Sequence, residues 1–222
     1  MKVLIFGATG MVGQGVLKEC IRTKHVQSVV TIGRTATGAA SAKVNEIVHA
    51  DLENYSGLER RLIGFDACFF CLGISSSLVR KTEYERVTYD ITIAAAETLC
   101  RLNPKMTFIY VSGSGTDSSE QGRMRWARVK GRTENALLRL PFKAYMFRPG
   151  FIEPMDGIRS KTRTYRIFYM IGGPVLSLIR RALPNMVLST RDIGQAMLAV
   201  ARKGPTNQVL EAKDIRSVLQ GN

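Results

Sequence analysis

An apolar strand that runs directly into a series of spaced glycines is the feature that most constrains this chain. Residues 3–6 are all apolar, and Gly7, Gly10 and Gly13 follow them before a helical pattern begins. A buried strand, a tight glycine turn and a helix start form the arrangement that binds the pyrophosphate of a dinucleotide. Gly7 would permit the turn, Gly10 would let the backbone approach the phosphates, and Gly13 would let the helix pack against the strand. The helix would face the phosphates with free amides and the positive end of its dipole. We therefore predict a cofactor site here rather than a purely structural turn.

Strand and helix patterns alternate along the rest of the chain. The predicted strands after the first cover residues 28–33, 44–49, 67–72, 106–111, 144–147 and 208–211. The predicted helices after the first cover residues 58–63, 84–102, 124–140, 193–202 (capped by residues 190–192) and 215–219. This alternation predicts an α/β protein with a doubly wound parallel sheet, the Rossmann fold. The length of 222 residues fits one such domain, residues 1–222.

Residues 151–185 depart from the alternating pattern. Within them, residues 164–183 are apolar and basic and are interrupted by Gly172-Gly173-Pro174. In a doubly wound enzyme this part would close over the carboxyl ends of the strands, where substrates bind. We predict a small C-terminal helical cap on the substrate side. A packing or oligomer helix is an equally consistent interpretation, and the oligomeric state stays open.

The end of the second strand indicates which dinucleotide is bound. An acidic residue there would hold the ribose 2′-hydroxyl of NAD(H), whereas an arginine accommodates the 2′-phosphate of NADP(H). Here the strand ends in Gly33-Arg34-Thr35, without an acid. A guanidinium suits a phosphate in geometry and in charge. We therefore predict NADP(H) over NAD(H), with an ordinary surface arginine as the alternative for Arg34.

The chain is strongly basic. It has 32 Lys and Arg against 18 Asp and Glu, a net charge of +14. Twelve of these basic residues and three acids lie between Arg123 and Arg166. Such a face would meet an anionic membrane or nucleic acid weakly, or it is a solvated surface that also helps to bind phosphates. No nucleic-acid motif accompanies the charge, and we favour the solvated surface.

The cysteines and the apolar runs indicate the cellular compartment in which the protein works. Cys68 and Cys71 have the spacing of a redox or metal pair, but residues three apart on a strand point to opposite faces. We expect buried thiols in a reducing cytosol and no metal site. The longest apolar run, Ile167–Ile179, is too short and too interrupted to span a membrane. The first strand starts at Lys2, so we expect no signal peptide and a cytoplasmic protein.

Several short motifs occur in an order that resembles a known family. They are Gly7-Ala8-Thr9-Gly10-Met11-Val12-Gly13, Arg34, Asp51-Leu52, Cys71-Leu72-Gly73, Val111-Ser112-Gly113-Ser114 and Arg148-Pro149-Gly150. Together they resemble the short-chain dehydrogenase/reductase superfamily, in its atypical NAD(P)-binding, epimerase-like branch. The resemblance implies that Asp51 and Leu52 lie against the adenine, Leu72 and Gly73 line the ribose and pyrophosphate, and Pro149 and Gly150 lie near the nicotinamide. The full predicted cofactor set is Gly7, Thr9, Gly10, Met11, Val12, Gly13, Arg34, Asp51, Leu52, Cys71, Leu72, Gly73, Lys130, Arg148, Pro149 and Gly150.

The catalytic residues that this resemblance implies are only partly present. The family uses a Ser after the fifth strand and a Tyr-x-x-x-Lys pair on the next helix, where residues four apart share one face. The Lys binds the nicotinamide ribose and lowers the pKa of the Tyr, which exchanges a proton with a carbonyl or alcohol. In this chain Ser112 and Lys130 match, with Ser114 as a competing candidate, but the Tyr position is Trp126. An indole N–H is only a hydrogen-bond donor and cannot act as a proton acid near neutral pH.

Three functions follow from these residues. The first is an NADP(H)-dependent oxidoreductase acting on a small carbonyl or quinone-like substrate, in which Lys130, or water held by Ser112, supplies the proton. The second is a non-catalytic NADP(H)-binding sensor or partner-binding protein, which the replacement at Trp126 favours. The third is docking of the basic stretch 123–166 on a membrane or nucleic acid. Trp126 as a core aromatic residue, Lys130 as a solvated helix lysine and Ser112 as a turn serine are the structural alternatives.

Overall fold

The computed structural model of the chain describes residues 1–158 and 187–221, and these contain one large parallel sheet and a small one. The strands of this part are β1 (Lys2–Phe6), β2 (Ser28–Gly33), β3 (Val44–Val48), β4 (Ala67–Phe70), β5 (Thr107–Val111), β6 (Lys143–Arg148), β7 (Phe151–Glu153), β8 (Val187–Ser189) and β9 (Val209–Glu211). The large sheet has the order β3-β2-β1-β4-β5-β6-β9, and each neighbouring pair is parallel. The order reverses beside β1, which leaves a crevice at the carboxyl ends of β1 and β4.

Helices connect the strands on both faces of the sheet. They are α1 (Met11–Arg22), α2 (Lys81–Glu85), α3 (Ile91–Leu102), α4 (Arg125–Leu138), α5 (Thr190–Lys203) and α6 (Ala212–Gln220), with a 3₁₀ turn at Glu59–Arg61 and a π-helical segment at Arg86–Asp90 between α2 and α3. The predicted doubly wound α/β fold is confirmed. Parallel connections need a crossover helix after each strand, and this is why the sequence alternates between the two patterns.

The core forms two layers, one on each side of the sheet. On one side Ile5 and Phe69 pack with Val16 of α1 and Ile193 of α5. On the other side Phe6, Phe70 and Phe108, from β1, β4 and β5, pack with α3 and α4. All four residues of β4 are buried, as expected for a strand that is covered on both faces. The two cysteines near β4 divide between these layers: Cys68 packs in the second and Cys71 against the first.

Several helix boundaries differ from the predictions. The helix predicted over 193–202 begins at Thr190, and its cap is Ser189 rather than residues 190–192. The Ser189 hydroxyl accepts from the Asp192 amide at 3.0 Å, and the Asp192 carboxylate accepts from the Ser189 amide at 2.8 Å. This capping box extends the helix by one turn, because it satisfies amides that would otherwise be exposed at the helix start. The last helix is also longer than predicted, and an acidic capping box of Glu211 and Asp214 starts it.

The helix predicted over 84–102 begins earlier, at Lys81, and is not uniformly α-helical. Its five residues Arg86–Asp90 form a π-helical segment. Such segments are uncommon and are found frequently at functional sites. This one carries Arg86, whose side chain pairs with Glu53 in the loop after β3.

The predicted cap over 151–185 is described only at its start. Phe151–Glu153 is a strand, not part of a helix, and it pairs in parallel with Val187–Ser189. Residues 159–186, including the predicted helical stretch 164–183, lie outside the described residues. In the described ranges, none of the helices combines the length and apolarity needed to cross a membrane.

Candidate functional site

A cavity of about 400 Å³ opens at the carboxyl ends of β1 and β2. It is lined by Gly7, Ala8, Thr9, Thr31, Ile32, Gly33, Arg34, Thr35, Thr37, Leu52 and Leu72. Five members of the predicted cofactor set therefore converge on one cavity, from the ends of four neighbouring strands: Gly7, Thr9, Arg34, Leu52 and Leu72. The threonines Thr31, Thr35 and Thr37 were missed, although their position at the end of β2 was a signal that could have found them.

The glycine turn between β1 and α1 has the geometry that its spacing predicts. Gly7 has φ +72°, a conformation that favours glycine, and a Cβ on it would lie 2.6 Å from the Leu72 amide nitrogen. A Cβ on Gly13 would lie 2.2 Å from the Gly7 carbonyl oxygen. Gly10 is different, because a Cβ there meets only the Gly7 carbonyl oxygen, at 3.3 Å. Gly7 and Gly13 are thus required by the fold, whereas a Cβ on Gly10 would meet one backbone oxygen closely and no other atom within 4 Å.

The amino terminus of α1 has free backbone amides that can bind an anion. Gly10 is its N-cap, no side chain caps it, and Met11, Val12 and Gly13 form its first turn. The backbone amides and the positive end of the helix dipole are therefore available to a ligand beside the cavity. An uncapped helix of 12 residues that starts at a glycine N-cap beside a cavity of this size fits the pyrophosphate of a dinucleotide.

Arg34 stands at the mouth of the cavity and is exposed. Within the described ranges, no carboxylate lies within ion-pair distance of its guanidinium. Leu52 is buried and contributes an apolar wall, while the neighbouring Asp51 is exposed and accepts from the Glu53 amide at 3.0 Å. Asp51 therefore shapes the loop after β3, and its predicted contact with the adenine stays a prediction.

The loop after β4 begins with Cys71, which continues the pairing to β1 through its amide and the Phe6 carbonyl at 3.0 Å. Burial raises the pKa of the Cys71 thiol, which keeps it protonated and unreactive. Leu72 lines the cavity, and Gly73 is exposed with open space around its α-carbon. In the described part of the chain, no three His, Cys, Asp or Glu side chains are grouped to hold a metal ion.

Lys130 and Trp126 lie one turn apart on α4, as the spacing predicts. The Lys130 ammonium donates to the backbone carbonyl of Ser112 and lies 5.7 Å from the centre of the Tyr110 ring. Burial lowers the pKa of Lys130 from 10.5 to about 8, against the opposing charge of Glu134. Trp126 is half-buried, and its indole is next to Gly115 in the loop after β5. The helix thus directs an indole and an amine of lowered pKa towards the end of β5.

The hydroxyl of Ser112 is committed to other protein groups. It donates to the Glu134 carboxylate and lies 3.1 Å from the Phe147 carbonyl oxygen. Ser112 is buried, whereas Ser114, the competing candidate, is exposed. The amide of Ser114 donates to the Pro149 carbonyl at 2.9 Å, which joins the loops after β5 and β6. Of the two serines, Ser114 is therefore the one with a hydroxyl accessible from solvent.

Glu134 and Arg148 form a buried ion pair that the sequence did not indicate. The Arg148 Nε lies 3.0 and 3.2 Å from the two Glu134 oxygens, and Nη2 also contacts that carboxylate. Its remaining contacts are with Glu211, at 3.2 Å, and with the Ser118 hydroxyl, at 2.6 Å. All three guanidinium nitrogens are thus engaged by protein groups, and the predicted cofactor contact of Arg148 stays a prediction, as do those of Pro149 and Gly150. No local pattern indicates this pair, because its two members are 14 residues apart in the chain.

The described part of the basic stretch 123–166 does not form one continuous cationic face. Arg125 pairs with Glu85 at 3.0 Å, and Arg128 donates to the Gly122 carbonyl at 2.6 Å. The Arg132 guanidinium lies over the ring of Tyr89, 3.8 Å from its centre. Lys130 and Arg148 point inward, to Ser112 and Glu134. Much of this charge therefore serves local structure, and residues 159–166 lie outside the described ranges.

Comparison with known proteins assigns the chain to a family. The profile of the NAD(P)H-binding family matches residues 7–152, more than half of the chain. The chain belongs to this family. Protein HTATIP2 of Rattus norvegicus is 30% identical over 201 residues, which cover 83% of this chain and 81% of that protein. The mitochondrial protein FMP52 of Meyerozyma guilliermondii is 25% identical over 154 residues, which cover 68% of this chain and 65% of the relative.

Solved structures with this fold agree with the assignment. The enzyme WbmG of Bordetella bronchiseptica, in complex with NAD, superposes with a TM-score of 0.69 at 14% identity, covering 100% of this chain and 78% of that one. A UDP-glucose 4-epimerase of Thermotoga maritima superposes with a TM-score of 0.68 at 16% identity, covering 95% and 76%. At these identities the likeness shows a shared fold, and the predicted NAD(P)-binding resemblance is confirmed by the family profile.

Proposed function

We propose that this protein is an NADP(H)-dependent oxidoreductase of the atypical short-chain type, acting on a small carbonyl or quinone-like substrate. The observation that carries the NADP(H) part is the position of Arg34, an exposed cation at the mouth of the cavity and at the acid-free end of β2. A 2′-phosphate attached to a ribose in this cavity would meet a guanidinium, whereas a 2′-hydroxyl would meet no carboxylate from the strand end.

Arg34→Ala tests this choice of cofactor. Wild-type protein should bind NADPH at least several-fold more tightly than NADH, and the substitution should remove most of that preference by weakening NADPH alone. A charge-assisted hydrogen bond contributes about 1.5–3 kcal/mol, so NADPH affinity should fall about tenfold or more. Isothermal titration calorimetry with both cofactors measures the ratio, and Arg139→Ala, another exposed arginine, is the matched control. Equal affinities in wild type, or an unchanged ratio in the variant, would refute the assignment.

The chemistry that we assign to the chain's own residues centres on Lys130. When bound, the reduced cofactor supplies the hydride that a carbonyl or quinone accepts. The Lys130 ammonium, oriented by the Ser112 carbonyl, is the proton donor in place of the missing tyrosine. A lysine whose pKa lies near the working pH is suited to general acid catalysis. The exposed Ser114 hydroxyl would orient the acceptor oxygen at the end of β5.

A pH profile tests the role of Lys130. Because burial lowers the pKa of Lys130 to about 8, the protonated form is lost as the pH rises through about 8, and NADPH oxidation should fall over that range. Between this pKa and 10.5 the unfolded chain binds more protons at Lys130 than the folded chain, so Lys130 contributes a rise in stability there. The titration of Lys130 therefore does not destabilise the fold over this pH range, and the fall in NADPH oxidation is not explained by unfolding through this residue.

Lys130→Arg is the matched variant for this profile, since a guanidinium stays protonated throughout. Its residual activity should show no decline near the pKa of Lys130. Thermal unfolding at each pH would separate inactivation from denaturation. Wild-type turnover that stays constant to the alkaline limit of stability would contradict the assignment of Lys130 as the acid.

A non-catalytic NADP(H)-binding sensor is the second candidate. It is favoured by Trp126, which occupies the acid position, and by Ser112, whose hydroxyl is already donated to Glu134. Neither side chain offers a proton to a substrate. Turnover of the Trp126→Tyr variant separates the two candidates.

We infer that the protein is cytoplasmic. We also infer that it binds nucleic acid or membranes only weakly. The pairing of Arg125, Arg128 and Arg132 with local groups supports weak binding. The mitochondrial name of the fungal relative supports the competing location. Fractionation of cells that express the full chain would decide between the two.

A further inference from the structure

Four charged side chains lie near the cavity, and we call them the rim cluster: Arg34, Glu53, Glu83 and Arg86. Arg34 lines the cavity mouth, and Glu53 directly follows Leu52 of the cavity wall. Glu83 and Arg86 come from α2 and the π-helical segment that follows it. Two cations and two anions give this cluster no net charge.

Arg86 connects the loop after β3 with α2. Its Nε lies 3.0 Å and its Nη2 3.1 Å from the two oxygens of Glu83, a two-point ion pair. Its Nη1 lies 3.1 Å from the Glu53 carboxylate. All three side chains are about two-fifths exposed. Solvent therefore weakens these ion pairs, and their charged groups remain accessible to a ligand.

Both arginines of the rim cluster lower the pKa of Glu83. Its pKa is lowered first by the hydrogen bond from Arg86 and further by the charges of Arg86 and Arg34. Glu83 is therefore ionised at neutral pH, and its negative charge lies within electrostatic reach of the cation at the cavity mouth. Arg34 itself makes no ion pair with the described carboxylates, so its charge is available to a phosphate.

We propose that Glu83 is a specificity-determining residue, which pairs with Arg86 and whose charge opposes that of a cofactor 2′-phosphate beside Arg34, and so limits the preference for NADP(H) over NAD(H). The proposal rests on the proposed function, in which Arg34 meets that phosphate. NAD(H) brings only a hydroxyl to the rim cluster, whereas NADP(H) adds a phosphate dianion. Because the cluster starts neutral, its two carboxylates offset the attraction of its two arginines for the phosphate.

Removing the charge of Glu83 should therefore strengthen NADPH binding selectively. In Glu83→Gln the rim cluster gains a net positive charge, and Arg86 loses its two-point partner. Partly exposed charge pairs are weak, so the ratio of NADPH to NADH affinity should rise only about two- to fivefold. NADH affinity should change little, and the gain should shrink at about 1 M salt, where the Debye length is ~3 Å.

Isothermal titration calorimetry with NADPH and NADH measures these ratios. Glu97→Gln, an exposed acid on α3, is the matched control and should leave the ratio at the wild-type value. Arg86→Gln should lower the ratio, because it leaves two carboxylates without their cation. In the Arg34→Ala background most of the gain from Glu83→Gln should disappear, since the two residues would act on one phosphate.

The outcomes separate this proposal from the proposed function. If Arg34→Ala abolishes the NADPH preference but Glu83→Gln leaves the ratio unchanged, or shifts both affinities equally, the role of Glu83 is refuted and that of Arg34 stands. If Arg34→Ala has no effect on the ratio, the proposed function fails. A gain from Glu83→Gln that persists fully without Arg34 would also overturn the role proposed for Glu83.

Discussion

Replacing Gly10 with valine is expected to abolish NADP(H) binding while the protein stays folded. Gly10 has φ −77° and ψ 166°, an extended conformation that valine adopts readily, and the only neighbour of its Cβ would be the Gly7 carbonyl oxygen at 3.3 Å. The isopropyl group would instead occupy the space beside the uncapped start of α1, where the pyrophosphate would lie. We expect Kd for NADPH to rise at least ~100-fold, which is about 3 kcal/mol.

Gly13→Val is the informative companion to this variant. A Cβ on Gly13 would lie 2.2 Å from the Gly7 carbonyl oxygen and 2.8 Å from the α-carbon of Ala8, so α1 would have to move away from the sheet. Gly13→Val should therefore fail to fold or lose several kcal/mol of stability, as overpacked backbone contacts do. Gly10→Val should lose only about 1 kcal/mol, because valine is a poorer N-cap than glycine.

Calorimetry with NADPH and thermal unfolding of both variants give the two measurements that this pair requires. NADPH binding close to wild type in a folded Gly10→Val protein would show that the glycine turn serves the fold alone. Loss of folding in Gly10→Val would instead show that this position is as confined as Gly13.

Replacing Trp126 with tyrosine is expected to raise carbonyl-reductase turnover, by as much as ~10²-fold, if the protein is a reductase that lost its acid. The substitution restores the Tyr-x-x-x-Lys pair with Lys130 on one face of α4. The Lys130 ammonium would lower the pKa of the new phenol, because a nearby cation favours the phenolate. The half-buried indole leaves space for the smaller ring, so folding should persist.

NADPH oxidation against a panel of quinones, aldehydes and ketones measures this effect in wild type, Trp126→Tyr and Lys130→Met. In a sensor, turnover should stay at background in all three, and Trp126→Tyr should alter only cofactor affinity. If wild-type turnover is already appreciable and falls in Trp126→Tyr, the indole contributes to a different substrate site. Measurable wild-type turnover that Lys130→Met leaves untouched would refute the role assigned to Lys130.

The spacing of residues that are close together in the sequence predicted much of the fold and the glycine turn of the cofactor site. The glycine turn covers seven consecutive residues, 7–13, from the end of β1 into α1, and the positive φ of Gly7 and the close approach of Gly13 to Gly7 are local to them. The buried strand β4 was evident from its continuous apolar run, because a strand covered on both faces has no polar side. Helix boundaries were less predictable: Ser189 and Asp192 compete with other polar residues nearby, and only their hydrogen bonds identify the cap.

The polar networks of the site could not be predicted in the same way. Ser112, Glu134 and Arg148 are separated by 22 and 14 residues in the chain, and Glu53 and Arg86 by 33. A carboxylate on an amphipathic helix normally faces solvent, and nothing in its local pattern identifies a buried partner. Burial of Glu134 is decided by the position of Arg148 on the neighbouring strand, which neutralises its charge.

The sequence by itself therefore determined the fold class, the glycine turn at β1 and the cation at the end of β2, since each depends on residues that are close in the chain. Only the tertiary structure decided that the Ser112 hydroxyl is donated to Glu134, that Arg148 is held by three protein groups, and that Arg86 joins Glu53 to Glu83. These contacts join separate strands and helices. Their partners are chosen by the order of the strands and the packing of helices on the sheet, because charged groups leave water only where the fold brings a counter-charge or a hydrogen-bond partner to them.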